Sequence, residues 1–311
     1  MAAIQLNNIT KTYNKGSILA VDDVSFSVEK GEVFGLIGPD GAGKSTIFRM
    51  LTTLLIADKG TATVAGYDVV KDFKTIRGIV GYMPGRFSLY QDLTVEENLN
   101  FFATVFSTTI EENYDLIKDI YVQLEPFKDR RAGKLSGGMK QKLALCCALI
   151  HKPEVLFLDE PTTGVDVVSR KEFWEMLKRL KQQGITILVS TSYMDEATLC
   201  DRIGLILNGK VLSIATPENT IKAYPEKLYA VKSPGMYNLL KDLRSFAGTV
   251  NCYTFGEYLH LSVTCSEEDV KKYLNGKGYS DFILKSTTPT VEDCFIRLLK
   301  TQNERNGNKD K

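Results

Sequence analysis

Gly38-Pro39-Asp40-Gly41-Ala42-Gly43-Lys44-Ser45-Thr46 follows the apolar run Val33 to Ile37 and precedes an apolar helical pattern, Ile47, Met50, Leu51 and Leu54. Glycines at this spacing let consecutive backbone N–H groups converge on phosphate oxygens, while Lys44 supplies a mobile positive charge and the Ser45 hydroxyl suits Mg²⁺. A helix starting near Gly43 adds the positive end of its dipole. Strand, loop and helix in this order are the context a phosphate-binding loop requires, so a nucleoside triphosphate is the first ligand expected rather than an ordinary glycine turn.

Downstream, Val155-Leu156-Phe157-Leu158 reads as a buried strand ending in Asp159-Glu160-Pro161. In an open parallel sheet, ligands bind beyond the carboxyl ends of the strands, where Asp159 can hold Mg²⁺, usually through water, and Glu160 can orient or deprotonate an attacking water. Taken alone, an acidic pair after a strand is more often a helix cap or a solvated turn. The phosphate loop upstream tips the reading toward chemistry.

Between these two lies Leu135-Ser136-Gly137-Gly138-Met139, where Ser136 can cap a helix and the glycines leave backbone amides open to a phosphate. We place that helix at Lys142 to Ile150. Tyr13, the loop 38–46, the 135–139 signature, the run 155–160 and Gly164-Val165-Asp166 together resemble the ATPase cassette of ABC transporters over roughly residues 4 to 215. The resemblance implies an α/β P-loop NTPase fold with an antiparallel β subdomain and a helical subdomain. It implies ATP and Mg²⁺ as ligands, with Ser45 and Asp159 on the metal and Glu160 catalytic. It also implies a head-to-tail dimer in which Ser136, Gly137 and Gly138 of one cassette complete the ATP site of the other. Tyr13 matches the family's adenine-stacking aromatic, though an exposed strand-end tyrosine reads the same way. Asp166 matches an aspartate at the dimer interface and is equally a helix cap; both can hold.

Two positions depart from the family pattern. Val80-Gly81-Tyr82-Met83-Pro84-Gly85 puts Gly85 where the family has a glutamine facing Mg²⁺ and the attacking water. Leu188-Val189-Ser190-Thr191-Ser192 puts Ser192 at the switch histidine. The chain has only two histidines, His151 before the Asp159 strand and His260 far downstream, and neither stands as a shifted substitute. Serine is short and uncharged, and glycine offers no side chain, so this site is expected to bind ATP and hydrolyse it slowly. Arg86 and Gln91 are polar candidates for partial compensation. An intact signature beside a damaged site points to a heterodimer of one degenerate and one competent site.

The remaining composition narrows the class. At 311 residues and 43% hydrophobic content two domains with cores are expected, and a net charge of +1 gives no footprint for nucleic acid. No apolar stretch approaches the roughly 18 residues of a membrane span, and Met1-Ala2-Ala3-Ile4-Gln5 lacks a signal-peptide pattern, so membrane contact is expected through a partner. Six cysteines without metal spacing read as reduced core thiols in cytoplasm.

Alternating runs at 4–9 and 18–28 read as antiparallel strands. Residues 94–128 read as helical, opened by a Thr94/Glu97 capping box, and 203–214 read as a hairpin turning at Asn208-Gly209. We place the nucleotide-binding domain at 1–216. A small α+β domain of βαββαβ, ferredoxin-like order follows at 217–300, and a polar, frayed tail at 301–311. Pro289-Thr290-Val291-Glu292-Asp293-Cys294-Phe295 resembles the C-terminal tails of ABC-2-type exporter ATPases, including drug-efflux systems. The resulting expectation is the ATPase subunit of a bacterial ABC-2-type exporter, peripheral on the inner membrane face through a separate permease. Two alternatives stand beside it: a non-hydrolytic nucleotide sensor, and a soluble ABC ATPase of translation or DNA repair. The latter usually carries two cassettes or a long coiled coil between phosphate loop and signature.

Overall fold

The computed structural model describes residues 2–307, with side chains to residue 302. The chain divides into two compact units, with the boundary in the sequence between Pro217 and Glu218. The first begins β1 (Ala2–Tyr13), β2 (Ile18–Glu29), β3 (Val33–Ile37), α1 (Lys44–Leu51), β4 (Lys59–Val64) and β5 (Tyr67–Asp68). Four of these form an antiparallel sheet in the order β2-β1-β4-β5. Ile4, Leu6, Val24, Phe26 and Val28 turn inward from it, as the period-2 alternation of a half-buried sheet requires.

The unit continues with α2 (Phe73–Ile79), β6 (Val80–Met83), α3 (Val95–Val105), α4 (Tyr114–Tyr121), α5 (Gly137–Leu149) and β7 (Val155–Asp159). It ends with α6 (Val167–Gln182), β8 (Thr186–Thr191), β9 (Arg202–Leu207) and β10 (Lys210–Ala215). The second sheet runs β10-β9-β3-β8-β7-β6, parallel from β9 through β6. Every residue of β3, β7 and β8 is buried, which is why these strands read as continuous apolar runs. Phe26 of the first sheet stacks on Phe34 of the second with centroids 5.3 Å apart, joining the two into one core. The parallel strands set the loops after β3, β6, β7 and β8 along one sheet edge, where a ligand site forms.

Two expectations are corrected here. The capping box at Thr94 and Glu97 forms, but 94–128 is not one helical stretch: α3 ends at Val105, and Ser107 takes a left-handed φ of 55° before α4 begins. The helix after the signature starts at Gly137, not Lys142. Ser136 accepts from the Met139 amide and caps it directly, so the signature glycines are its first turn.

The second unit contains α7 (Pro217–Lys222), β11 (Lys227–Lys232), α8 (Met236–Ser245), β12 (Thr249–Phe255), β13 (Tyr258–Val263), α9 (Glu267–Gly276), β14 (Ile283–Ser286) and α10 (Val291–Gly307). Its sheet is antiparallel throughout, in the order β12-β13-β11-β14. Leu239 and Leu243 of α8 and Val270 and Leu274 of α9 pack on Val231, Leu259 and Leu261. The tail expected to begin at 301 is corrected in part, because α10 runs on to Gly307; 308–311 lie outside the described residues.

Asp293, near the start of α10, is buried. Its Oδ1 lies 2.6 Å from His260 Nδ1 and accepts from Tyr253, and its Oδ2 accepts from the Thr290 amide and hydroxyl. Burial alone would raise its pKa, but hydrogen bonds from His260, Thr290 and Tyr253 outweigh burial and hold the carboxyl down at about 2. A carboxyl depressed below its ordinary 3.8 stabilises the fold above that value. We therefore expect hydrogen-exchange protection of Tyr258–Val263 to fall as pH drops from about 4 toward 2. Asp293→Asn should lower protection at pH 7 and flatten that acid dependence; an unchanged acid profile would show that another group carries it.

Candidate functional site

The loops after β3, β6 and β7 line one cavity of about 720 Å³. Its floor is the 40–46 loop. Gly43 holds φ 103°, and a Cβ there would sit 2.4 Å from the Ala20 carbonyl oxygen, so only glycine fits as the loop passes under β2. The Gly209 amide donates to Ala42 O at 3.0 Å, bracing the loop from the 208–209 turn.

Lys44 is 3% exposed. Its Nζ donates to Gly38 O at 2.7 Å and Pro39 O at 3.0 Å, and lies 3.0 Å from Glu160 Oε1. The charge balance that a buried cation requires is met inside the cavity itself, with the cation from the loop after β3 and the anion from the end of β7.

Asp159 is 4% exposed, and its Oδ1 accepts from Ser190 Oγ at 2.6 Å. Glu160 takes φ 51°, the left-handed region a non-glycine residue enters at a cost of roughly 1–3 kcal/mol. Its amide donates to both Ser190 O at 3.1 Å and Ser190 Oγ at 3.0 Å, which hold that turn. Tyr82, on the facing strand β6, has its hydroxyl pushed up to about 12 by burial and by the Asp159 charge, against the opposing effect of Arg49. Asp159 and Ser45 give one carboxylate and one hydroxyl. Mg²⁺ takes few protein ligands and completes its shell with water and phosphate oxygens, so this donor set fits a metal arriving with a polyphosphate.

The other sequence candidates fall in different places. Gly85 lines the cavity, and a Cβ on it would lie 3.1 Å from Asp159 O and 3.8 Å from Asp159 Oδ2. Arg86 lines it too. Gln91 does not; its carbonyl accepts from the Gly133 amide at 2.9 Å, away from the phosphate loop. Ser192 is half-buried just beyond β8 and is not among the lining residues. Tyr13 lies outside the cavity wall but beside α1, its hydroxyl 3.4 Å from Thr46 Oγ1. The signature lies elsewhere: a Cβ on Gly137 would meet Gly164 O at 3.2 Å, and one on Gly138 would meet Ser169 Oγ at 2.8 Å. Asp166 caps α6 through the Val168 and Ser169 amides, and hydrogen bonds from Ser169 and Val168 hold its carboxyl below the ordinary range.

Sequence reasoning missed Ser190, Arg49 and a brace behind the site. Glu196, 1% exposed, accepts from Thr162 Oγ1 at 2.7 Å, and Arg170 of α6 packs over the Tyr193 ring at 4.3 Å. These ties join the turn after Glu160 to the turn after Ser192. A single serine or glutamate in an otherwise ordinary run carries no pattern that would single it out.

The ABC transporter family profile matches residues 21–163. The chain is 36% identical to Nod factor export ATP-binding protein I of Rhizobium sp. strain N33, covering 97% of this chain and 99% of that one. It belongs to the ABC transporter ATP-binding family. It is also 39% identical to the probable multidrug ABC transporter ATP-binding protein YbhF of Escherichia coli over 96% of its own length, and spans 52% of YbhF. A dimeric ATP-binding cassette solved in a post-hydrolysis state with ADP and Pi superimposes with a TM-score of 0.62 at 26% identity, over 68% of this chain and 98% of that one. The P-loop NTPase cassette fold follows from this membership. Among the described residues no helix is long and apolar enough to cross a membrane.

Ser190→Ala removes a donor from buried Asp159 and one acceptor from the Glu160 amide. We expect a loss of about 1–3 kcal/mol in stability, seen as a lowered thermal midpoint, together with a weaker Mg²⁺-dependent component of ATP stabilisation. An unchanged Mg²⁺ dependence would show that Ser190 does not position Asp159.

Proposed function

We propose that this chain is the ATP-binding subunit of a bacterial ABC-2-type exporter, driving a separate membrane permease by ATP-dependent closure of paired cassettes. The observation that carries the ATP site is the convergence of Lys44, Ser45, Asp159 and Glu160 on one cavity. In this reading Lys44 and the 40–46 amides hold the phosphates, Ser45 and Asp159 hold Mg²⁺, and Tyr13 stacks on adenine. Bound Mg²⁺ would neutralise phosphate charge. Glu160 has to leave Lys44 as phosphate arrives, and is then free to orient or deprotonate water. The export assignment is supported by relatives whose names are those of drug and Nod factor export proteins.

Ser136, Gly137 and Gly138 open α5 away from this cavity, as a surface offered to a second cassette would. The site's own deficits, Gly85 and Ser192, support a heterodimer in which the competent ATP site lies on the partner. Tyr82 and Pro84 line the nucleotide cavity and also an apolar groove of about 340 Å³ walled by Met83, Phe102, Phe106 and Cys147. A permease helix seated there would touch the same strand that touches the nucleotide, and the chain would sit on the inner face of the membrane through that contact.

A purified chain should gain thermal stability with ATP, by RT ln(1 + [L]/Kd), and Lys44→Ala should lose most of that gain. A wild type that shows no ATP-dependent shift would sink the nucleotide reading.

Gly85 and Ser192, standing where the family has a glutamine and a histidine, favour a second reading, a nucleotide sensor that closes without turnover. If Gly85 and Ser192 limit the rate, Gly85→Gln with Ser192→His should raise steady-state ATPase by up to about 10²-fold, dependent on Glu160. A glutamine side chain introduced at position 85 has its Cβ within 3.1 Å of Asp159 O, so the backbone there must give slightly and partial restoration is expected. A double variant that binds ATP, dimerises and remains slow would favour the sensor.

A further inference from the structure

Three cationic side chains line the nucleotide cavity: Lys44, Arg49 and Arg86. Two are already engaged. Lys44 faces Glu160 and two loop carbonyls, and Arg49 lies near Tyr82, where its charge opposes the rise in that hydroxyl's pKa. Arg86 is exposed and has no hydrogen bond, ion pair or ring contact with any described residue.

Its position is set by Gly85. The backbone there runs so close to β7 that a Cβ would lie 3.1 Å from Asp159 O and 3.8 Å from Asp159 Oδ2. Arg86 is therefore the first side chain after a point of contact with the acidic end of β7. The cavity otherwise balances Lys44, Arg49 and Arg86 against Asp40, Asp159 and Glu160. A triphosphate with one Mg²⁺ adds net negative charge, and the side chains at 85 and 192 contribute no donor of any reach to meet it.

We propose that Arg86 supplies, from within this chain, the positive charge that meets the terminal phosphate of bound ATP in place of the side chains absent at Gly85 and Ser192. The proposal rests on the ATP-site reading above and adds to it the group that distinguishes a triphosphate from a diphosphate. Guanidinium suits the task. It is charged at every physiological pH, unlike an imidazole, and its planar fork donates two parallel hydrogen bonds to phosphate oxygens. A cation at the terminal phosphate also opposes charge that builds on its oxygens during transfer. The arginine lies on the strand-to-loop segment that passes between nucleotide cavity and groove, so its engagement depends on how that segment is held.

The test compares fluorescent ATP and ADP analogues binding to the full chain with Mg²⁺, in wild type, Arg86→Ala and Arg86→Lys. Arg86→Ala should weaken ATP about tenfold or more while ADP stays within about twofold, because only ATP presents the terminal phosphate. Arg86→Lys should fall between, keeping the charge and losing the fork. Since Arg86 has no partner among the described residues, the thermal midpoint of both variants without nucleotide should match wild type. An equal loss for ATP and ADP, or no loss for either, would overturn the proposal while leaving the nucleotide site standing. Wild-type chain that binds neither nucleotide would overturn both.

Discussion

Lys44 is an ammonium almost wholly removed from water, and the arrangement of the first unit follows from how its charge is met. An unpaired buried cation is costly by several kcal/mol, so the loop after β3 cannot close until acceptors are in place. Two come from the loop itself, Gly38 O and Pro39 O, and the third is Glu160 at the end of β7. β8 lies between β3 and β7 in the sheet, so the ion pair reaches across an intervening strand. Ser190 of that strand closes the gap by binding Asp159 and the Glu160 amide together. The left-handed turn at Glu160 is held in place by the same contacts. A cavity assembled this way is preorganised for an anion. Phosphate can take over from Glu160 as the partner of Lys44, and the displaced carboxylate remains beside the nucleotide.

That exchange also explains why loss of polar groups at 85 and 192 need not loosen the fold. Neither Gly85 nor Ser192 takes part in the Lys44, Asp159, Glu160 and Ser190 contacts. The turn after Ser192 is fixed instead by Glu196 with Thr162 and by Arg170 over Tyr193. In the proposed reading, binding and catalysis therefore separate along structural lines: the ion-paired floor binds, and the two altered positions on the rim govern rate. A chain built so can keep its nucleotide-driven closure while a partner cassette carries the turnover.

The fold was legible wherever backbone geometry or continuous burial dictates residue type. The phosphate loop shows because glycine is required at Gly43, and β7 and β8 show because a strand buried on both faces must be apolar throughout. The boundary errors came from local signals that tertiary packing overrode. Gly137 and Gly138 read as loop, yet a Ser136 cap and close packing on Gly164 and Ser169 make them a helix start. The polar residues after Lys300 read as a tail, yet they continue the amphipathic helix that Val291, Cys294 and Phe295 bury. In the site, Lys44, Asp159 and Glu160 lie at positions that motif spacing marks. Ser190 and Glu196 are visible only once the parallel sheet sets β8 beside β7, because their partners Glu160 and Thr162 lie 30 and 34 residues away.

Strand β6 is the shortest in the parallel sheet and lies at its edge, paired on one side only with β7. It nonetheless borders both the nucleotide cavity and the apolar groove through Tyr82, with Pro84 just past its end lining both as well. An edge strand has fewer ladder bonds to break when it shifts, whereas β3, β8 and β7 are locked from both sides. Motion at the cavity is thus most easily accommodated at β6 and the segment that follows it. Phe106 stacks on His151 at 3.7 Å on the far wall of the groove, and the His151 ring nitrogen Nε2 lies 3.0 Å from Val80 O at the start of the same strand. Burial keeps that imidazole below its ordinary pKa and so favours its neutral form. With Nε2 as the donor to Val80 O, the helical wall and strand β6 are tied by a neutral hydrogen bond that does not depend on charge. Displacement of β6 by nucleotide would carry the groove wall with it, and a partner seated in the groove would feel the occupancy of the cavity through these few contacts.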